Sequence, residues 1–231
     1  MPEPEMWTPL ILVNLKTYRE TMGQAAATFA QSALHVAKQT GTCIAIAPQT
    51  VDIGLVSKSV PIPVFAQHID PVGHGKYTGH IIPQSVKSAG AAGTLINHSE
   101  RRLTIDVIRS TVKAAWDNNL KPVVCVDTVE LGRDVASFKP YAIAIEPPEL
   151  IGSGIPVSKA KPEIVSGAVD AVKTTEPTVK VLCGAGITSG QDVSAAIALG
   201  AEGILVASGV VLATDPHKAL LDLAQAAERN R

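Results

Sequence analysis

Five short segments carry residue types that could act together on a small anionic molecule. Asn14-Leu15-Lys16 closes the apolar run Leu10–Val13. Asn97-His98 closes Thr94–Ile96 and leads straight into Ser99-Glu100-Arg101-Arg102. Glu146-Pro147-Pro148 closes Tyr141–Ile145. Cys183-Gly184-Ala185-Gly186 and Ala207-Ser208-Gly209 close two later runs. A carboxylate at the end of a buried run is partly desolvated, which raises its pKa and suits it to be a base near neutral pH. A histidine at the start of a helical turn faces N–H groups of positive potential, which disfavour imidazolium. The neutral ring can donate a hydrogen bond and later return the proton. Alternation puts Asn14 and Lys16 on one side of the chain with Leu15 opposite, and a lysine there offers a cation to an anion. The two glycine-rich ends let backbone N–H groups approach a phosphate closely. Each feature also has a plain structural reading. Lys16 could be a solvated strand-end lysine, and His98 a hydrogen-bonded structural histidine. His68, which ends another apolar run, is a weaker candidate of the same kind.

These residues need a scaffold that gathers chain ends from distant positions. Eight short apolar runs recur: Leu10–Val13, Cys43–Ala47, Val64–Ala66, Thr94–Ile96, Val123–Val126, Ala142–Ile145, Val179–Leu182 and Ile204–Ala207. Continuous rather than alternating apolarity marks parallel strands covered on both faces. Most are separated by Ala-rich amphipathic stretches of helical period: Gln24–Lys38, Ile105–Asp117, Pro162–Lys173, Gln191–Leu199 and Pro216–Glu228. Gly41, Gly90 and Gly200 stand where C-terminal caps are needed. Ser189 and Asp215 stand at N-caps, with Pro216 at a first helical position. Eight units in 231 residues average about 29 residues each, a βαβ pitch. The repeat favours a closed (β/α)8 barrel over an open doubly wound sheet, and no GxGxxG follows the first strand. Nothing divides the chain, so residues 1–231 form one domain. The segment Asp127–Lys139 is too short for a full helix with two loops, and a shortened helical segment is expected between strands five and six. In such a barrel the strand C-termini and the loops after them carry function. Pro147–Pro156, proline-bounded with a glycine-rich tip, has the make-up of a lid.

Composition narrows the partners. The chain is 46% hydrophobic and 18% charged, which excludes a disordered chain. Twenty basic against 21 acidic residues leave no surplus for a phosphate backbone, so no nucleic-acid partner is expected. The three cysteines, Cys43, Cys125 and Cys183, lie far apart in apolar runs and have no metal-ligand spacing. They read as reduced core thiols. Met1–Pro9 lacks a basic start and an apolar core, and Ala195–Ala213 is interrupted by Glu202 and three glycines, so a soluble, cytoplasmic protein without a membrane span is expected.

Taken together and in order, these stretches resemble the triosephosphate isomerase family, its short archaeal form in particular. The resemblance runs from Asn14 to the last helix. It rests on Asn14-Leu15-Lys16, Ala66-Gln67-His68, Thr78-Gly79-His80, Asn97–Arg102, Glu146–Lys161, Leu182–Ile187 and Ala207–Val210. It implies a TIM barrel that interconverts dihydroxyacetone phosphate and D-glyceraldehyde 3-phosphate through an enediolate, in glycolysis and gluconeogenesis. It implies Glu146 as base, His98 as electrophile and Lys16 as the catalytic cation. Substrate contacts fall on Asn14, Leu15 and Lys16, on Ile151 in the lid, and on Gly186, Ala207 and Ser208. Glu100 matches an acidic residue near the lysine. No metal or cofactor is implied. The resemblance also implies a homo-oligomer, a tetramer ahead of a dimer, with the shortened segment helping to form the extra interface.

Two other readings stay open on the sequence. Phosphoribosyl isomerases and aldolases share the phosphate-binding half of the barrel, but they do not require Lys16, His98 and Glu146 together. A non-catalytic sugar-phosphate-binding barrel would bind without turnover.

Overall fold

The structure, a computed structural model, describes residues 5–147 and 156–230. Eight parallel strands follow one another along the chain: β1 Leu10–Asn14, β2 Cys43–Ala47, β3 Phe65–Ala66, β4 Gly93–Ile96, β5 Lys121–Val126, β6 Ala142–Ile145, β7 Lys180–Cys183 and β8 Gly203–Val206. Their spatial order is β2-β1-β8-β7-β6-β5-β4-β3. A single parallel bridge, Ile46 to Val64, joins the two ends and closes the ring. The result is a (β/α)8 barrel.

Helices cover the outside: α1 Gln24–Thr40, α2 Ile53–Ser59, α3 Pro83–Ser88, α4 Ile105–Asp117, α5 Val129–Ala136, α6 Val157–Ala160, α7 Pro162–Thr175, α8 Gly190–Ala198, α9 Ser208–Val211 and α10 Pro216–Arg229. Their ends follow local chemistry. Gly41 closes α1 in the left-handed conformation, φ 66°, which residues with a Cβ rarely adopt. Ser189 and Asp192 form a reciprocal capping box on α8, and the Asp215 carboxylate accepts the Lys218 N–H at the start of α10. The short segment between β5 and β6 holds an eight-residue helix, α5, capped by the Thr128 hydroxyl.

Side-chain alternation divides each strand between two cores. Leu10 and Leu12, Cys43 and Ala45, Phe65, Leu95, Val123 and Cys125, Ala142 and Ala144, Leu182 and Leu205 form one buried cluster, the barrel interior. Ile11 and Val13, Ile44 and Ile46, Ile143 and Ile145, and Val181 face the helices. This parity decides which residues reach the mouth. Asn14 continues the inward series of Leu10 and Leu12, Glu146 that of Ala142 and Ala144, and Gly184 that of Leu182. The three cysteines are free and buried, as expected of core thiols. Among the described residues no helix is long and apolar enough to cross a membrane, and the stretch 195–213 is the end of α8, all of β8 and α9.

Two local expectations need correction. No helix starts directly after His98. The chain makes a hydrogen-bonded turn, with the Arg101 N–H donating to the His98 carbonyl at 2.7 Å, and α4 begins only at Ile105. Lys16 is not a strand residue either. β1 ends at Asn14, and Lys16 adopts a left-handed backbone with φ 47°.

Candidate active site

At the C-terminal mouth of the barrel lies an open cleft. Asn14, Lys16, His98, Glu146, Gly186, Ala207 and Ser208 all line it. These side chains and turns come from the ends of β1, β4, β6, β7 and β8, from Asn14 near one end of the chain to Ser208 near the other. Leu15 is not part of the lining. Its side chain is fully buried in the outer core, as alternation requires. Ile151 and the tip of the expected lid lie outside the described residues. His68 is buried away from the cleft, with Nε2 at 3.0 Å from Asp70 Oδ1.

His98 faces the cleft because of Asn97. By parity His98 would share the outward side of Ile96, but Asn97 has φ 60°, and this left-handed residue breaks the strand alternation. Asn97 is held there by its own amide, which donates to the Cys125 carbonyl at 2.8 Å and accepts the Leu103 N–H at 2.8 Å. Asparagine tolerates this conformation better than most residues. The ring of His98 is oriented by the next turn. Glu100 N–H donates to Nδ1 at 3.2 Å, so Nδ1 keeps its lone pair and the hydrogen of the neutral ring sits on Nε2. Burial lowers the histidine pKa below its usual value, and the Lys16 and Arg102 cations add to that, against the opposing pull of Glu100. One backbone N–H at Nδ1, rather than a helix start, therefore fixes the tautomer.

Across the cleft, Glu146 Oε1 lies 3.8 Å from His98 Nε2. This is too long for a direct hydrogen bond but close enough for one small molecule to touch both groups. Glu146 is 4% exposed, and its Oε2 has no hydrogen-bond partner among the described residues. Burial raises its pKa to about 7; the Cys125 thiol and the Lys16 cation pull the other way without offsetting it. Gly184 packs directly on this carboxylate. A Cβ there would stand 2.4 Å from Glu146 Cγ, so only glycine leaves the side chain its place.

Lys16 Nζ is paired with Glu100 Oε1 at 2.8 Å, while the Asn14 side chain accepts the Lys16 backbone N–H at 2.9 Å. Asn14 thus spends its oxygen on the main chain and keeps its NH2 group for the cleft. The far wall is main chain. Gly186 has φ 72°, and Gly209 allows the turn after β8 to touch the turn after β7, since a Cβ would meet the Ile187 carbonyl at 2.4 Å. The N–H groups of Ser208 and Gly209, the first two of α9, have no acceptor within the helix. Tyr18, Ile187 and Thr188 also line the cleft, and sequence reasoning did not single them out. Tyr18 lies only two residues past Lys16, a proximity that could have drawn notice.

Residues 9–227 match the family model described as triosephosphate isomerase. The triosephosphate isomerase of Methanosarcina acetivorans is 52% identical over 218 residues, 94% of this chain and 98% of that protein. The one from Methanocaldococcus jannaschii is 48% identical, over 93% of this chain and 98% of its own length. The crystal structure of triosephosphate isomerase from Bartonella henselae superposes with a TM-score of 0.74 at 18% identity, covering 95% of this chain and 98% of that one, a likeness of fold.

Proposed function

Since the chain belongs to the triosephosphate isomerase family and is an isomerase, we propose that it interconverts dihydroxyacetone phosphate and D-glyceraldehyde 3-phosphate in this cleft. The phosphate binds the main-chain N–H groups around Gly186, Ala207 and Ser208, with Ile151 of the lid as a further contact. Asn14 and Lys16 bind the triose from the β1 side. Glu146 removes a proton from the carbon beside the carbonyl. The C–H electron pair becomes the carbon–carbon double bond, and the carbonyl oxygen takes up negative charge. His98 Nε2–H donates to that oxygen and Lys16 neutralises it. The proton of the neighbouring hydroxyl passes by way of His98 Nε2 to that oxygen, the neighbouring oxygen becomes the new carbonyl, and Glu146 returns its proton to the carbon that had carried the old one, so no atom is lost or gained. Triosephosphate isomerase is itself the standard example of a glutamate base working beside a neutral histidine. The observation that carries the reading is the His98 ring with its hydrogen fixed on Nε2, 3.8 Å from a buried carboxyl with an unpartnered oxygen.

A coupled assay with D-glyceraldehyde 3-phosphate on the purified protein should show turnover. Tight binding of the substrate without turnover would favour the non-catalytic barrel instead. In the cell we assign the enzyme to the cytoplasm and to the triose stage of glycolysis and gluconeogenesis.

We further propose a homotetramer, ahead of a dimer. Loop residues 73–80 are exposed and carry Tyr77. Met22, Val51 and Leu55 are also exposed, Val51 by 85%, as is Trp116 on α4. These apolar groups would gain from burial against further copies. Sedimentation equilibrium should give four times the 24.0 kDa of one chain; a monomer mass would remove the proposal.

A further inference from the structure

Among the described residues, Lys16 is the only non-glycine residue lining the cleft with a left-handed backbone, φ 47°. Sterics disfavour that conformation for any residue with a Cβ, so something must hold it. Two side chains do. The Asn14 carboxamide oxygen accepts the Lys16 N–H at 2.9 Å. The Gln67 amide nitrogen donates to the Lys16 carbonyl at 2.9 Å. The same nitrogen donates at 2.9 Å to the Ala47 carbonyl, which also accepts the Leu15 N–H at 3.0 Å. Gln67 follows β3 directly and does not line the cleft. One amide therefore ties the ends of β1, β2 and β3 to one another at the carbonyl of a strained residue.

From this juxtaposition we propose that Gln67 is a positioning residue for the reaction, holding the Lys16 peptide in its left-handed form and thereby aiming Nζ into the cleft. The proposal rests on the reading of Lys16 as the cation that neutralises the developing charge. A primary amide of this length suits the place because it supplies two N–H donors from a neutral group. A shorter amide could not span both carbonyls, and a carboxylate would present oxygen to oxygen. Released from Gln67, the Lys16 carbonyl can rotate toward ordinary backbone geometry. The Nζ then moves off its line to the substrate although its charge and its partner Glu100 remain.

A double-mutant cycle on kcat/KM with D-glyceraldehyde 3-phosphate tests this, using Gln67→Met and Lys16→Met and working well below the melting temperature of every variant. Lys16→Met should lose at least ~10²-fold, the usual loss of one charge-stabilising group. Gln67→Met should lose ~10–100-fold, the scale of an ångström misplacement. If Gln67 acts through Lys16, the second substitution should add less than about threefold in the Lys16→Met background. General loosening of the barrel would instead multiply the two losses, and that result overturns the proposal. So does a Gln67→Met protein with a lowered melting temperature and unchanged kcat/KM. Should Gln67→Met not fold, Gln67→Ser, which leaves room for a water to bridge the carbonyls, takes its place in the cycle under the same criteria. A Lys16→Met protein of full activity would remove Lys16 from the reaction, and Gln67 with it. A large Lys16→Met loss with multiplicative effects removes Gln67 alone.

Discussion

Glu146→Gln should lower kcat by on the order of 10³–10⁴-fold while leaving the competitive binding of inorganic phosphate nearly unchanged. The amide has the shape of the carboxylate but cannot accept the substrate proton. The main-chain groups near Gly186 and Ser208 that would hold a phosphate do not depend on it. Retained turnover in this variant would show that another group is the base. The pH profile gives a second reading of the same residue. Its carboxyl is raised to about 7 by burial, so kcat/KM of the parent should fall about tenfold for each pH unit below 7. Burial shifts the His98 value below its ordinary 6.5, so the ring is neutral at pH 7. The residual activity of Glu146→Gln should lack the acid limb.

The same burial makes the base a burden on the fold. The ordinary value of 4.5 is raised to about 7, so the folded protein holds this proton more tightly than the unfolded chain does. Its stability contribution is fully present below pH 4.5, is lost as pH rises toward 7, and stays lost above. The gap between the two values corresponds to about 3 kcal/mol, at ~1.4 kcal/mol for each tenfold change in proton affinity. Urea melts should therefore show the stability of Glu146→Gln relative to the parent improving by up to about 3 kcal/mol from acid to alkaline pH. A constant difference across that range would mean that the carboxyl is not held in a desolvating site. A protein that keeps an ionisable carboxyl dry, next to a glycine that leaves no slack, gives up stability for a group that titrates near neutral pH.

How far the sequence could be read depended on how local the determinants were. Helix α4 was legible to the residue, Ile105–Asp117, because its amphipathic period is strong. Glu146 was legible because parity along Ala142–Ile145 alone sends it inward. Lys16 reached the expected side for a different reason than expected. Alternation stops at Asn14, and the left-handed turn at Lys16 is held by Asn14 and by Gln67, the latter 51 positions away. His98 is a similar case: parity points it outward, and the Asn97 turn, pinned to a carbonyl on β5, points it back. The expected helix start after His98 was wrong in form, although the source of the effect, an N–H aimed at the ring, was right in kind. β3 shrank from Val64–Ala66 to two residues because Val64 makes only the closing bridge. What escaped the sequence at Lys16 and at His98 is a side chain satisfying the backbone of a distant strand end, a contact with no period and no fixed spacing.

His98→Ala should reduce kcat by on the order of 10²–10³-fold, with KM and phosphate inhibition changed little. In the proposed role the ring donates one hydrogen bond to an oxygen whose charge is small in the bound substrate and large in the enediolate. Its loss therefore weakens the intermediate far more than the ground state. The size of the effect depends on the tautomer. Glu100 N–H occupies Nδ1 at 3.2 Å, so rotation of the ring cannot substitute the other nitrogen as donor. His98→Gln tests this directly. Its amide can donate to the same oxygen but cannot pass a proton between the two oxygens and take it back. It should recover part of the loss, ending above His98→Ala and well below the parent. Equal activity of the two variants would mean that donation by Nε2 contributes nothing, and parent-like turnover of His98→Ala would take the histidine out of the mechanism. Because the lowered pKa keeps the ring uncharged, the deficit of both variants should be the same at about pH 7 and about pH 9. A deficit that vanishes at high pH would instead identify imidazolium as the active form.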